Sequence, residues 1–221
     1  SGMPWEQFIK ERIFNPLSMD NSYGSLTYIK DESNVALPHL NEGKELSVIQ
    51  PERWDPKKIN GAAGSIYSNV NDIANWMLVH LNKGKYGNNL EQQLFTEESQ
   101  NEMWKIHTTL NPDGNPRYNS HFRGYGLGWF LSDTNGKMQV AHTGGLIGML
   151  SKTTMIPDLD LGVIVLTNTW LDGAGLFSAV SQTIVDRYLE LDDYNWVDFY
   201  AERMGQRNSQ ADEVVAKVSI S

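Results

Sequence analysis

Between Tyr125 and Asn168 strand signals and tight turns follow one another so closely that only an antiparallel sheet can use them. Tyr125-Gly126-Leu127-Gly128-Trp129-Phe130 reads as a short strand, and Leu146 to Ile156 alternates as a second. Pro157-Asp158-Leu159-Asp160 is a turn, after which Gly162-Val163-Ile164-Val165-Leu166-Thr167-Asn168 reads as a third strand. Short connections join antiparallel neighbours, because a parallel pair needs a long crossover. Gly162–Leu166 is apolar throughout, which predicts a strand covered on both faces with neighbours on both sides. At the mouth of the hairpin stand His142-Thr143-Gly144-Gly145. A His and two glycines there set a titratable ring beside bare backbone N–H groups, an arrangement able to hold a developing oxyanion.

Helical patterns lie on either side of the strands. Residues 4–14 predict a short helix with Trp5, Phe8, Ile9 and Ile13 on one face, stopped by Asn15-Pro16. Residues 20–60 are polar and rich in turn formers, with at most short strands near Leu26–Ile29 and Leu46–Ile49. Asn69 reads as the N-cap of a helix from Asp72 to Asn82, carrying Ile73, Trp76, Met77, His80 and Leu81 at helical spacing and ended by Lys83-Gly84. A second helix is expected over 96–105, and a long loop over 107–121. The last helix is expected over 174–190, with Leu176, Val180, Ile184, Tyr188 and Leu191 on one stripe. Residues from 195 predict a short helix at best, with Arg207 to Ala211 linker-like. Helices, then hairpin-joined strands, then a helix is an α+β order. The domain so defined runs over 1–192, with 4–122 mostly helical and irregular and 123–192 the hairpins and closing helix; 193–221 is a tail or a linker to a further domain.

Composition removes several functions. Net charge is −9 and no stretch is rich in Lys and Arg, which argues against nucleic acid as a partner. There is no cysteine, so disulfides, thiolate metal sites and a Cys nucleophile are all excluded. No apolar run reaches the length of a membrane span. His39, His80, His107 and His121 show no paired spacing and no HExxH, so no metal site is expected. Trp76 and Trp129 read as core, and Asp158 and Asp160 as turn residues.

Five segments in order carry a family resemblance. Phe14-Asn15-Pro16-Leu17-Ser18-Met19 resembles an F-x-P-L-G-M motif, and Ala63-Gly64-Ser65-Ile66-Tyr67-Ser68-Asn69 resembles a small-residue loop before a helix. Tyr125 to Trp129 matches Y-G-L-G-W, and His142-Thr143-Gly144-Gly145 sits where Lys-Thr-Gly is otherwise found. Ile156 to Asn168 matches the closing hairpin. Over roughly residues 1–192 the chain thus resembles the C-terminal two-thirds of the serine β-lactamase and penicillin-binding hydrolases, of the class C, D-Ala-D-Ala carboxypeptidase and esterase kind.

That resemblance implies a β-lactamase/transpeptidase-like sheet and an acyl-enzyme route through an amide, ester or β-lactam carbonyl. It implies His142 and Gly145 as catalytic, Gly145 being the oxyanion N–H donor, and Thr143, Gly144, Gly64 and Asn168 as substrate-binding. Asn168 stands equally as pocket edge and as strand cap. It implies no cofactor, a small-molecule or peptide acyl substrate, and a periplasmic or cell-surface location. The family's Ser-x-x-Lys is absent: no Ser has a Lys three positions on, and Thr27-Tyr28-Ile29-Lys30 has the spacing with a weaker nucleophile. Tyr67-Ser68-Asn69 spells Tyr-x-Asn but follows Pro-Leu-x-Met instead of preceding it. The expectation is that the nucleophile-bearing segment and the N-terminal strands lie outside these residues, that the chain alone is inactive, and that the sheet needs that segment or a partner chain. A non-catalytic binding module that retains the scaffold stays open beside the enzyme.

Overall fold

The first helix changes its winding partway along. The structure is a computed structural model, and it describes residues 2–42, 45–50, 61–112, 115–146, 148–170 and 172–218. α1 (Trp5–Ile9) follows Pro4 and passes into a π-helical turn over Lys10–Phe14. The wider turn shifts the phase of the repeat beyond it, and Phe14 is buried beside Ile9. Phe8, expected on the inner face, lies before that turn and is exposed. Leu26–Tyr28 is a 3₁₀ turn, not the short strand expected there, because the Ser25 hydroxyl caps it by accepting the Thr27 N–H. β1 (His39–Glu42) and β2 (Glu45–Val48) pair as a small antiparallel ribbon. Residues 51–60 lie outside the described residues.

α2 (Val70–Leu81) starts where the cap predicts: the Asn69 side chain accepts the Asp72 N–H at 3.1 Å. β3 (Lys85–Tyr86) pairs with β4 (Gln92–Gln93), and α3 (Glu97–Met103) is capped by Thr96. The main sheet follows, with six strands where three were expected: β5 (Thr108–Leu110), β6 (Arg123–Tyr125), β7 (Phe130–Thr134), β8 (Lys137–Leu146), β9 (Met149–Ile156) and β10 (Leu161–Thr167). All are antiparallel, in the order β10-β9-β8-β7-β6-β5. Three corrections account for the extra strands, the first being β8 itself, whose residues 137–145 were not expected to be a strand. Tyr125–Phe130 is not one strand but the end of β6, a tight turn and the start of β7, with the Gly126 N–H donating to the Trp129 carbonyl at 2.8 Å. The expected loop 107–121 contains β5, which pairs with β6 although its own sequence has little apolar alternation.

α4 (Asp172–Tyr188) and α5 (Trp196–Val218) close the chain. α4 does not bury the expected stripe: Leu176, Val180 and Tyr188 are exposed, while Gly173, Gly175, Phe177, Ala179, Ser181, Val185 and Asp186 are buried. The reason is that α4 has two packed faces. Val185 and Ile184 meet Ile156, Leu161 and Val163 of the sheet, and Gly175 lies against Tyr200 and Met204 of α5, where a Cβ would stand 3.3 Å from the Met204 side chain. The segment read as a short helix and linker after 195 is therefore a long helix. It is anchored by buried Trp196, whose indole N–H donates to Asp186 at 2.7 Å.

β10 lies between two helices. Gly162 and Ile164 face Met77 of α2, and Val163 faces Val185 of α4. Along its edges the expectation is met on one side: β9 pairs with it, and no strand pairs with the other edge among the described residues.

Candidate active site

β8 overruns β7 at one end, and the candidate site lies on that overhang. Pairing with β7 stops at Phe130↔Ala141, whereas pairing with β9 continues to Leu146↔Met149. Residues 142–146 thus have a strand on one side only among the described residues, and Thr143, Gly144 and Gly145 are exposed. The four residues read at the mouth of the hairpin lie within β8, close to its end. Two glycines in succession leave the main chain here without side-chain cover.

His142 is the first residue past the last β7 pair. Its Nε2 lies 3.0 Å from the Tyr125 hydroxyl. Its ring stacks on Phe130 at 5.6 Å, and Tyr125 meets Phe130 edge-on at 4.7 Å. The Arg123 guanidinium sits over the same Phe130 ring, 5.5 Å from its centroid. Sequence reasoning missed Tyr125 as a partner of His142 and did not single out Arg123 and Phe130. The register across β6, β7 and β8 brings them together, and the only signal in the chain is the Tyr that opens Y-G-L-G-W.

Gly144 is a site of close approach: a Cβ there would stand 2.5 Å from the Ser151 hydroxyl on β9. Gly145 faces Leu150 and Trp170, at 3.2 and 3.7 Å from the position of its Cβ. Gly145, Leu150 and Thr167 lie in one row across three strands, so Asn168 follows at the same end of the sheet. Asn168 holds the chain before β1: its side-chain amide donates to the Leu37 carbonyl at 3.0 Å, and its carbonyl accepts from the His39 N–H at 3.0 Å. Gly148, in the β8–β9 turn, packs so closely on Pro38 and His39 that a Cβ would meet Pro38 at 2.5 Å. Gly64 sits elsewhere. Its N–H donates to Gly61, and the adjoining Ser65 hydroxyl is held by the Gly24 and Gly61 carbonyls, next to Trp5 of α1.

Tyr67-Ser68-Asn69 is occupied structurally. Tyr67 exchanges backbone hydrogen bonds with Tyr23, Ser68 bonds Ser22, and Asn69 caps α2. Ser22 and the Asn21 N–H both donate to Asp72, so this motif serves to join α2 to the segment before it. Two further histidines have local tasks. His107 bonds the Glu102 carbonyl, and His121 pairs with Asp133 at 3.0 Å. Burial opposes ionisation of Asp133, but the Phe122 and His121 N–H groups, the His121 ring and the Ser120 hydroxyl outweigh it and hold the carboxyl well below the usual range.

An antiparallel sheet between α2 and α4, with a His-Thr-Gly-Gly strand end projecting past its neighbour, is a scaffold of the β-lactamase type. A family model described as Beta-lactamase matches residues 1–179, and the chain belongs to that family. It is similar to the unguisins hydrolase ungD' of Aspergillus campestris (strain IBT 28561), 22% identical over 196 residues, which cover 87% of this chain and 35% of that protein. It is similar in fold to the octameric penicillin-binding protein homologue from Pyrococcus abyssi, with a TM-score of 0.69 at 21% identity, covering 86% of this chain and 39% of that one. The D-amino acid amidase from Ochrobactrum anthropi SV3 superposes with a TM-score of 0.60 at 20% identity, covering 86% and 51%. The chain thus spans about a third to a half of the length of these relatives.

Proposed function

We propose that this chain forms the oxyanion-binding side of a serine hydrolase that cleaves an amide, ester or β-lactam carbonyl through an acyl-enzyme. The observation that carries the reading is the overhang of β8, where the exposed main chain of Gly144 and Gly145 adjoins His142. Main-chain donors fixed by a strand stabilise charge as it develops on a carbonyl oxygen without reorganising. In this reading Gly145 donates the strand N–H to the oxyanion, His142 contacts the substrate where the family otherwise has Lys, and Thr143, Gly144 and Asn168 line the cleft. Gly64 stands apart from this cleft, in the loop held against Trp5 of α1.

The Ser, its Lys and the catalytic Tyr come from a further segment, in the same polypeptide or a partner chain. The unpaired edge of β10 supports this, because an open strand edge is a template for pairing. A periplasmic or cell-surface location belongs to the same reading. The test joins this chain to its upstream reading frame and assays a panel of D-amino acid amides, p-nitrophenyl esters and a chromogenic cephalosporin. Turnover that disappears on replacing the upstream Ser of Ser-x-x-Lys supports the proposal. No turnover and no acylation on any of the three classes would leave a binding module instead.

A further inference from the structure

Resting on the acyl-transfer reading above, we infer that Tyr125 is a positioning residue that holds His142 as a neutral hydrogen-bond donor, its proton on Nδ1, for an acceptor oxygen of the substrate. A neutral imidazole has one donor and one acceptor nitrogen, and the partner of one nitrogen decides the role of the other. Here Nε2 is engaged by the Tyr125 hydroxyl at 3.0 Å. A phenol is the stronger donor of the two groups and an imidazole lone pair the stronger acceptor, so the bond runs from Tyr125 O–H to Nε2. The proton of the ring then resides on Nδ1. Stacking on Phe130 at 5.6 Å fixes the ring plane, and the edge-on contact of Tyr125 with the same Phe130 at 4.7 Å fixes the phenol. Phe130 is itself held in the β6–β7–β8 register.

The consequence is chemical. A donor at His142 beside the exposed main chain of Gly144 and Gly145 makes a cluster that recognises oxygen acceptors, a carboxylate or a second carbonyl near the bond to be cleaved.

Nitrogen-15 NMR of the labelled chain tests this in alkaline buffer, where the ring is neutral, through the long-range couplings of the ring protons. His142→Gln assigns the signal. The expected wild-type spectrum shows Nδ1 protonated and Nε2 bare. Tyr125→Phe keeps the aromatic contact with Phe130 and removes only the hydroxyl, and it should shift His142 to the Nε2–H form or to a mixture. Nε2 protonated in the wild type overturns the inference, and so does a tautomer unchanged by Tyr125→Phe. The wild-type spectrum decides on its own should that variant be unstable. Tautomer state needs no turnover, so failure of the hydrolase assay would leave this result standing, and an Nε2–H wild type would leave the hydrolase reading standing.

Discussion

Two histidines show how the same side chain is used in opposite surroundings. His142 stands half-buried beside exposed main chain, with a hydroxyl partner. His80 has 0% exposure, and neither ring nitrogen has a hydrogen-bond partner among the described residues. It is enclosed by Trp76, Phe95, Trp104 and Trp129, with ring centroids 4.5 to 6.0 Å away. Burial alone lowers its pKa from 6.5 to about 4. The sign follows from linkage. Above pH 6.5 the ring is neutral folded and unfolded, so pH has no effect through it. As pH falls from 6.5 towards 4 the unfolded chain takes up a proton that the folded one refuses, and stability is lost, by up to about 3 kcal/mol. His80→Leu should therefore gain on the wild type in chemical denaturation as pH drops through that window, with the difference constant above pH 7. Parallel pH profiles for the two proteins would show that His80 does not titrate this way. For His142, the expectation in the enzyme completed by its nucleophile segment is a loss of about 10²–10³ in kcat/KM on change to Ala, with the melting temperature little altered. Activity within a few-fold of wild type would make the residue structural.

At the scale of elements, the β8–β9 turn is the joint that sets the end of the site. Gly148 has φ +81 and has Pro38 and His39 packed where a side chain would start. Gly148→Ala combines a left-handed backbone with a clash against another segment's main chain. It should cost at least about 1–3 kcal/mol, read as a lower denaturant midpoint. A melting curve superimposable on wild type would show that the turn is not seated on Pro38 and His39. Asp186 is the corresponding joint at the other end of the fold. Buried on α4, it accepts from Arg117 Nε at 2.9 Å, Tyr118 at 2.7 Å and the Trp196 indole at 2.7 Å. Burial first, and then the bond to Asp186, push the Tyr118 hydroxyl well above its ordinary pKa. Asp186→Ala leaves a cation and two donors without their acceptor, and is expected to cost about 3–5 kcal/mol. Protease protection of α5 should disappear in that variant; if it persists, α5 is held by its apolar contacts alone.

Over the whole molecule the deciding feature is that the chain has an open sheet edge among the described residues and no Ser-x-x-Lys in its sequence. The serines that invite suspicion, Ser65 and Ser68, are engaged with Gly24, Gly61 and Ser22. Incubation of the 221-residue chain with a fluorescent penicillin should give no stoichiometric adduct by intact mass. An adduct mapped to any serine of this chain would contradict the proposed division of labour between this chain and a further segment.

Local chemistry in the sequence was enough for several features. Asn69 as a cap, the Lys83-Gly84 stop, the Pro157–Asp160 turn and the closing hairpin all depend on residues within a few positions of one another, and their physics is short-range. The order of motifs also made the family legible, because a β-lactamase scaffold places them in sequence. What tertiary structure decided is whatever depends on a second element. β5 is a strand because β6 offers its edge, and α4 buries Gly175 instead of Leu176 and Val180 because α5 lies against it. Likewise, His142 has its partner only because two hairpins bring Tyr125 beside it, 17 residues away along the chain. A hydrophobic period reports that a face will be covered but not by what, and a side chain's proton depends on a neighbour that only strand register can supply.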